Sequence, residues 1–132
     1  MHLIIDGYSD NKEILQDEQF LTDWLESYPE RIGMTRISPA HVVRYVGPNP
    51  ADWGISGFIF IAESHISVHT FVDQGYVNID LFSCKDFDAA KATGDFQQGF
   101  QLVRSRTCLI DREWSGREDA AAVGSGFAYH ER

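Results

Sequence analysis

Apolar and polar residues alternate most strictly in HISVHTF (65–71). There Ile66, Val68 and Thr70 fall on one side and His65, Ser67, His69 and Phe71 on the other. A period of two predicts a strand with one buried face. YVNIDLFSC (76–84) repeats the pattern, with Val77, Ile79 and Leu81 opposite Tyr76, Asn78, Asp80, Phe82 and Cys84. VDQG (72–75) is short enough to join the two as a hairpin. SGFIFIAES (56–64) is instead a near-continuous apolar run bounded by glycine, which predicts a central strand covered on both faces. HLIIDGY (2–8), HVVRYV (41–46) and TCLIDREW (107–114) read as three further strands.

Two stretches carry helical spacing. From a cap at Asp10 or Asn11 to about Tyr28, residues Ile14, Leu21, Trp24, Leu25 and Tyr28 share one face, and Pro29 ends the run. Over 88–101, Ala89, Ala92, Phe96 and Phe100 line up in the same way. Gly94 weakens that helix by about 1 kcal/mol relative to alanine. GPNPADWG (47–54) has the Gly and Pro density of a loop. The tail SGREDAAAVGSGFAYHER lacks a period and reads as a partly mobile end. The order β-α-β-β-β-β-α-β predicts an α+β two-layer sandwich: one domain, 1–132, with a mainly antiparallel sheet and two helices on one face.

A length of 132 residues is enough to bury a core, and 43% hydrophobic with 23% charged residues excludes a disordered chain. The net charge of -9 argues against a nucleic-acid partner, since phosphate binding relies on clustered Lys and Arg. Cys84 and Cys108 sit at no metal-site spacing and form no disulfide framework, so a reducing cytoplasm is the expected compartment. The N-terminus MHLIIDGYSD lacks the basic start and apolar run of a signal peptide. No apolar run approaches the roughly 20 residues of a membrane helix, so no membrane partner is expected.

The polar strand 65–71 carries the candidate chemistry. On a helix, His65 and His69 would share an ion, but on a strand they stand roughly 13 Å apart, so no metal site is expected. Ser64, a histidine and Asp80 are the residue types of a hydrolase triad. GISGF (54–58) nevertheless departs from the Gly-x-Ser-x-Gly elbow, because Gly57 directly follows Ser56. A hairpin between 65–71 and 76–84 brings Cys84 near residue 64 or 65, opposite Ser64, whereas Cys108 reads as core.

ESHISVHTF followed by GYVNIDLFSC resembles the signature of the prokaryotic S-adenosylmethionine decarboxylase proenzymes, pyruvoyl-dependent enzymes of polyamine (spermidine) synthesis. The usual pattern there is close to Glu-Ser-His-(Ile/Leu)-Ser-Ile-His-Thr-Trp-Pro-Glu, then Gly-Tyr-Ala-Ala-(Val/Ile)-Asp-(Ile/Leu)-Phe-Thr-Cys. The close match spans about residues 54–84, including Glu63, Ser64, His65, Ser67, His69, Thr70, Gly75, Tyr76, Asp80, Phe82 and Cys84. The resemblance implies autocatalytic cleavage between Glu63 and Ser64 into chains 1–63 and 64–132. Ser64 would attack the Glu63 carbonyl to give an ester. β-Elimination and hydrolysis would then leave a pyruvoyl group in place of Ser64. The resemblance makes His69 the processing base, Ser56 a processing hydroxyl and Cys84 the proton donor to the former α-carbon. It also implies a Schiff base between the pyruvoyl ketone and the substrate amine, and a homodimer of cleaved protomers.

The substrate side departs from that pattern. Pro50 stands roughly where the family places an adenine-stacking Phe, Trp53 lies nearby, and Asp73 stands where the Glu would be. The small-molecule substrate is therefore expected to be S-adenosylmethionine, or a basic amino acid, ornithine or arginine, whose cationic side chain Asp52 or Asp73 would suit. The non-enzyme alternative is an unprocessed binding domain that keeps these residues as a hydrogen-bond network.

Overall fold

The central strands of the computed structural model alternate between a helix-covered face and an open one, and this sorting organises the sheet. The structure describes residues 1–112 and 129–131. The strands are β1 (His2–Ser9), β2 (His41–Tyr45), β3 (Gly54–Ile61), β4 (Ser64–Phe71), β5 (Tyr76–Ser83), β6 (Leu102–Ile110) and β7 (Tyr129–Glu131). They form one sheet in the order β2-β3-β4-β5-β1-β6-β7, with every pair antiparallel. Helices α1 (Lys12–Gln16), α2 (Glu18–Arg31) and α3 (Ala89–Gly99) supply the second layer. The predicted α+β sandwich is what forms.

The core lies between the sheet and the helices. Leu3, Ile5, Ile59, Ile66, Val68, Val77, Ile79 and Leu81 meet Leu21, Leu25, Tyr28 and Phe96 there. Tyr28 ties α2 to α3: its ring lies 4.8 Å from that of Phe96, and its hydroxyl donates to Asp95 at 3.0 Å. Gly57 explains the Ser-Gly step in GISG, since a Cβ there would press on Leu21 and Leu25 where α2 crosses β3. Buried Thr70 stitches the layers together. Its hydroxyl donates to the Leu15 carbonyl at 2.7 Å and accepts from the Ile55 N–H at 3.0 Å.

Four local expectations are corrected. The first helix is two, because the Asp17 side chain accepts from the Phe20 N–H and starts α2 afresh. Pro29 does not end that helix, which runs to Arg31; the Pro29 carbonyl accepts from the Ile32 and Met34 N–H groups and closes the last turn. β6 begins at Leu102 rather than 107, because a left-handed residue, Gln101 (φ 53°), turns the chain straight from α3 into pairing with β1. β3 is covered on one face only: Ile55, Ile59 and Ile61 are buried, but Phe58 and Phe60 are 37% and 49% exposed. Of the region read as a mobile tail, only 129–131 lie within the described residues, as does 107–112 of the predicted last strand.

Candidate active site

β3 and β4 are joined by two residues, Ala62 and Glu63, with Ile61 paired to Ser64 across the turn. The bond singled out in the sequence, Glu63–Ser64, thus lies where a tight turn enters a strand. The Glu63 carbonyl accepts from the Cys84 N–H at 2.9 Å. That donor points at the oxygen on which negative charge would develop if Ser64 attacked this carbonyl. The Glu63 carboxylate is only 7% exposed; one oxygen accepts from the Thr35 N–H at 3.2 Å and the other lies 3.7 Å from the Lys85 ammonium.

The register across β4 and β5 differs by one residue from the expected one. Phe71 pairs with Tyr76 across the 72–75 turn, where Gly75 takes φ 66°, so Ser64 falls opposite Ser83 and Cys84 opposite Glu63. Cys84 is exposed at the end of β5, beside the candidate bond. Ser83 is fully buried. Its hydroxyl accepts from the Lys85 N–H at 3.0 Å, and its carbonyl accepts from the Met1 ammonium at 2.8 Å.

Ser56 and His69 form a separate pair on the open face of the sheet. They are directly opposed on β3 and β4, with His69 Nδ1 2.8 Å from the Ser56 hydroxyl. Their row continues across the sheet through Asn78 to Asp6, where the Asn78 amide donates to the Asp6 carboxylate at 2.6 Å. His69 is five residues along β4 from Ser64, roughly 16 Å at the rise of a strand. By alternation Ser64 also belongs with Ile66 and Val68 on the other face. A single chain therefore brings Ser56 to His69, and Glu63 to Cys84, but does not bring His69 to Ser64.

The remaining residues sort by the same alternation. Asp80 is engaged by His2, whose Nε2 lies 2.8 Å from its carboxylate, so no Ser64–His–Asp80 triad forms. His65 packs edge-on against Phe82 at 5.6 Å. Burial, and next the neighbouring His2, push its pKa below the ordinary histidine value, while Asp80 pulls the other way. Cys108, read as core, is half-buried and pairs with Ile4 on the open face. On the substrate side Pro50 opens a single 3-10 turn, Pro50–Asp52. The Trp53 indole N–H donates to the Asp73 carboxylate at 2.9 Å, and the Arg44 guanidinium stands 4.7 Å from the Trp53 ring centre. Sequence reasoning missed Thr35, Ser83 and Lys85. Only the last two had any signal, flanking Cys84 in the chain.

Comparison with known proteins identifies the family. The family model described as S-adenosylmethionine decarboxylase matches residues 1–113. A relative from Archaeoglobus fulgidus, an S-adenosylmethionine decarboxylase proenzyme, is 30% identical over 112 residues, which is 84% of this chain and 95% of the relative. A proenzyme of the same name from Thermosipho melanesiensis is 32% identical over 123 residues, 92% of this chain and 88% of its own length. The crystal structure of the adenosylmethionine decarboxylase from Aquifex aeolicus shares the fold, with a TM-score of 0.67 and 22% identity over 87% of this chain and 95% of that one. With a matched domain that takes in every strand from β1 to β6, the chain belongs to the S-adenosylmethionine decarboxylase family and is a decarboxylase.

Proposed function

We propose that this chain is a proenzyme that cuts its own backbone between Glu63 and Ser64 and then decarboxylates S-adenosylmethionine. The observation that carries the reading is the hydrogen bond from the Cys84 N–H to the Glu63 carbonyl. It polarises the carbonyl that Ser64 would attack, at a turn where the bond is presented at the start of a strand. Attack by the Ser64 hydroxyl moves the Glu63 acyl group from nitrogen to oxygen. Loss of the Ser64 α-proton then expels the Glu63 carboxylate, and water replaces the nitrogen of the resulting dehydroalanine, which leaves as ammonia. The products are chains 1–63 and 64–132, the second beginning with a pyruvoyl group.

That group needs an acid within reach and access for substrate. The Cys84 thiol is exposed at the end of the neighbouring strand and is suited to deliver a proton to the former α-carbon. When present, the pyruvoyl group supplies the electron sink for loss of CO2. Its neighbours Glu63 and Cys84 remain hydrogen-bonded through their backbones as long as the cut ends stay in register.

The same reading calls for two copies. A base acts within hydrogen-bond reach, about 3 Å directly or through one water. The Ser56–His69 pair stands roughly 16 Å from Ser64 of its own chain. A second copy facing the open side of the sheet can supply that pair instead. Phe58 and Phe60, with Val43 and Tyr45 beside them on β2, give that side the apolar surface of an interface. We therefore read the enzyme as a homodimer of cleaved protomers. Both described cysteines are free, and none of the described helices is long and apolar enough to cross a membrane, in keeping with a cytoplasmic location.

Between substrates, the family match favours S-adenosylmethionine. Of the two candidate counter-charges for ornithine or arginine, the Asp73 carboxylate is oriented by the Trp53 indole N–H. Release of CO2 from S-adenosylmethionine, ornithine and arginine, measured side by side on the cleaved protein, tests this. Turnover confined to S-adenosylmethionine is expected. Preferential release from ornithine or arginine would overturn the substrate assignment.

A further inference from the structure

We propose that Glu63 and Lys85 form a positioning clamp for cleavage of the Glu63–Ser64 bond. The inference rests on the self-cleavage reading above and adds to it a pair of side chains that touch none of the reacting atoms.

The turn itself makes a clamp necessary. Two-residue hairpin loops favour the primed turn types, which need positive φ and match the twist of the flanking strands. Neither Ala62 nor Glu63 has positive φ, so this loop belongs to the turn types that tend to splay a hairpin. Contacts from outside hold it closed. The segment after α2 runs beside it, with the Ala62 N–H donating to the Thr35 carbonyl at 2.8 Å and Arg36 bridging to Ile61. Thr35 returns a bond of its own, from its N–H to the Glu63 carboxylate at 3.2 Å.

The second carboxylate oxygen faces Lys85 at 3.7 Å. A carboxylate removed from water is tolerated only when paired, and this one has an N–H on one side and an ammonium on the other. Lys85 is aimed by its own backbone, whose N–H is anchored on the Ser83 hydroxyl at 3.0 Å. Glu63 is thus fixed at two places: its side chain by Thr35 and Lys85, and its carbonyl oxygen by Cys84. Together these limit rotation of the peptide plane that Ser64 must attack, and holding reactants near the attack geometry is itself a source of rate. The Lys85 side chain is 63% exposed, so the effect is modest and salt-sensitive.

The test is the rate of self-cleavage of freshly made full-length protein, followed by denaturing gel and intact mass. Lys85→Met and Glu63→Gln are each expected to cleave about two- to fivefold more slowly, as for an exposed ion pair, and the double variant no more slowly than either. Lys85→Arg is expected to restore the rate. Salt at about 1 M, which shortens the screening length to about 3 Å, is expected to slow the unaltered protein more than Lys85→Met. Thermal midpoints measured alongside separate this from loss of folding. An unchanged rate in Lys85→Met, or equal slowing in Lys85→Arg, overturns the clamp while leaving self-cleavage standing. Absence of cleavage in the unaltered chain overturns self-cleavage and the clamp with it.

Discussion

The two faces of β3, β4 and β5 are made by the same three strands, yet they do different work. The face under the helices carries Ile59, Ile66, Val68, Val77, Ile79 and Leu81, all buried in one apolar cluster. The opposite face carries the polar Ser56, His65, Ser67, His69, Asn78 and Asp80, with Ser56 bonded to His69, Asn78 to Asp6 and Asp80 to His2, and Phe58 and Phe60 exposed among them. Strand alternation lets one segment serve stability and chemistry at once, because each side chain is committed to a single face. The turn proposed for cleavage sits where this division ends, and in that proposal the backbone itself is the reactive group.

Substitutions on the two faces should therefore fail in different ways. The largest effect belongs to the turn: Ser64→Ala removes the nucleophile and should abolish cleavage on a denaturing gel while leaving a folded chain. Cys84→Ala comes next. It keeps its N–H, so cleavage should proceed, but CO2 release should fall by about two to four orders of magnitude with the proton donor gone. Normal turnover in that variant would sink the proton-donor assignment.

On the buried face, Ile66→Ala should destabilise the fold by about 2–5 kcal/mol in urea denaturation. Its neighbour Ser67, on the open face, should tolerate alanine within about 0.5 kcal/mol. Equal losses at 66 and 67 would break the two-face comparison. The smallest effect is at His65, whose pKa is lowered by burial and by His2. The unfolded chain takes up that proton more readily than the folded one. The His65 contribution to stability is therefore fully present above the unfolded value near 6.5 and is lost as pH falls toward the lowered folded value. His65→Gln should flatten the acid-side slope of stability against pH.

The alternation in 65–71 and 76–84 was legible in the sequence because it depends only on neighbours along the chain. So was the resemblance carried by Glu63, Ser64, His69 and Cys84. The bareness of one face of β3 was not, since Phe58 and Phe60 look the same in a run of apolar residues whether or not a helix covers them. Asp17 was hidden for a different reason: its capping bond interrupts a helical pattern without interrupting its apolar period. The one-residue shift that places Cys84 opposite Glu63 depends on how the 72–75 turn closes. Thr35 reaches Glu63 across 28 positions, a contact with no local trace. The separation of His69 from Ser64 follows simply from both lying on one extended strand, and it turns a list of site residues into an argument for two chains.

The central claim is that this protein breaks its own chain between Glu63 and Ser64. Intact mass measurement of the purified protein after incubation tests it most directly. The account predicts fragments of 63 and 69 residues, the larger resistant to N-terminal sequencing because it begins with a pyruvoyl group. A single chain of 132 residues that persists through long incubation would contradict it.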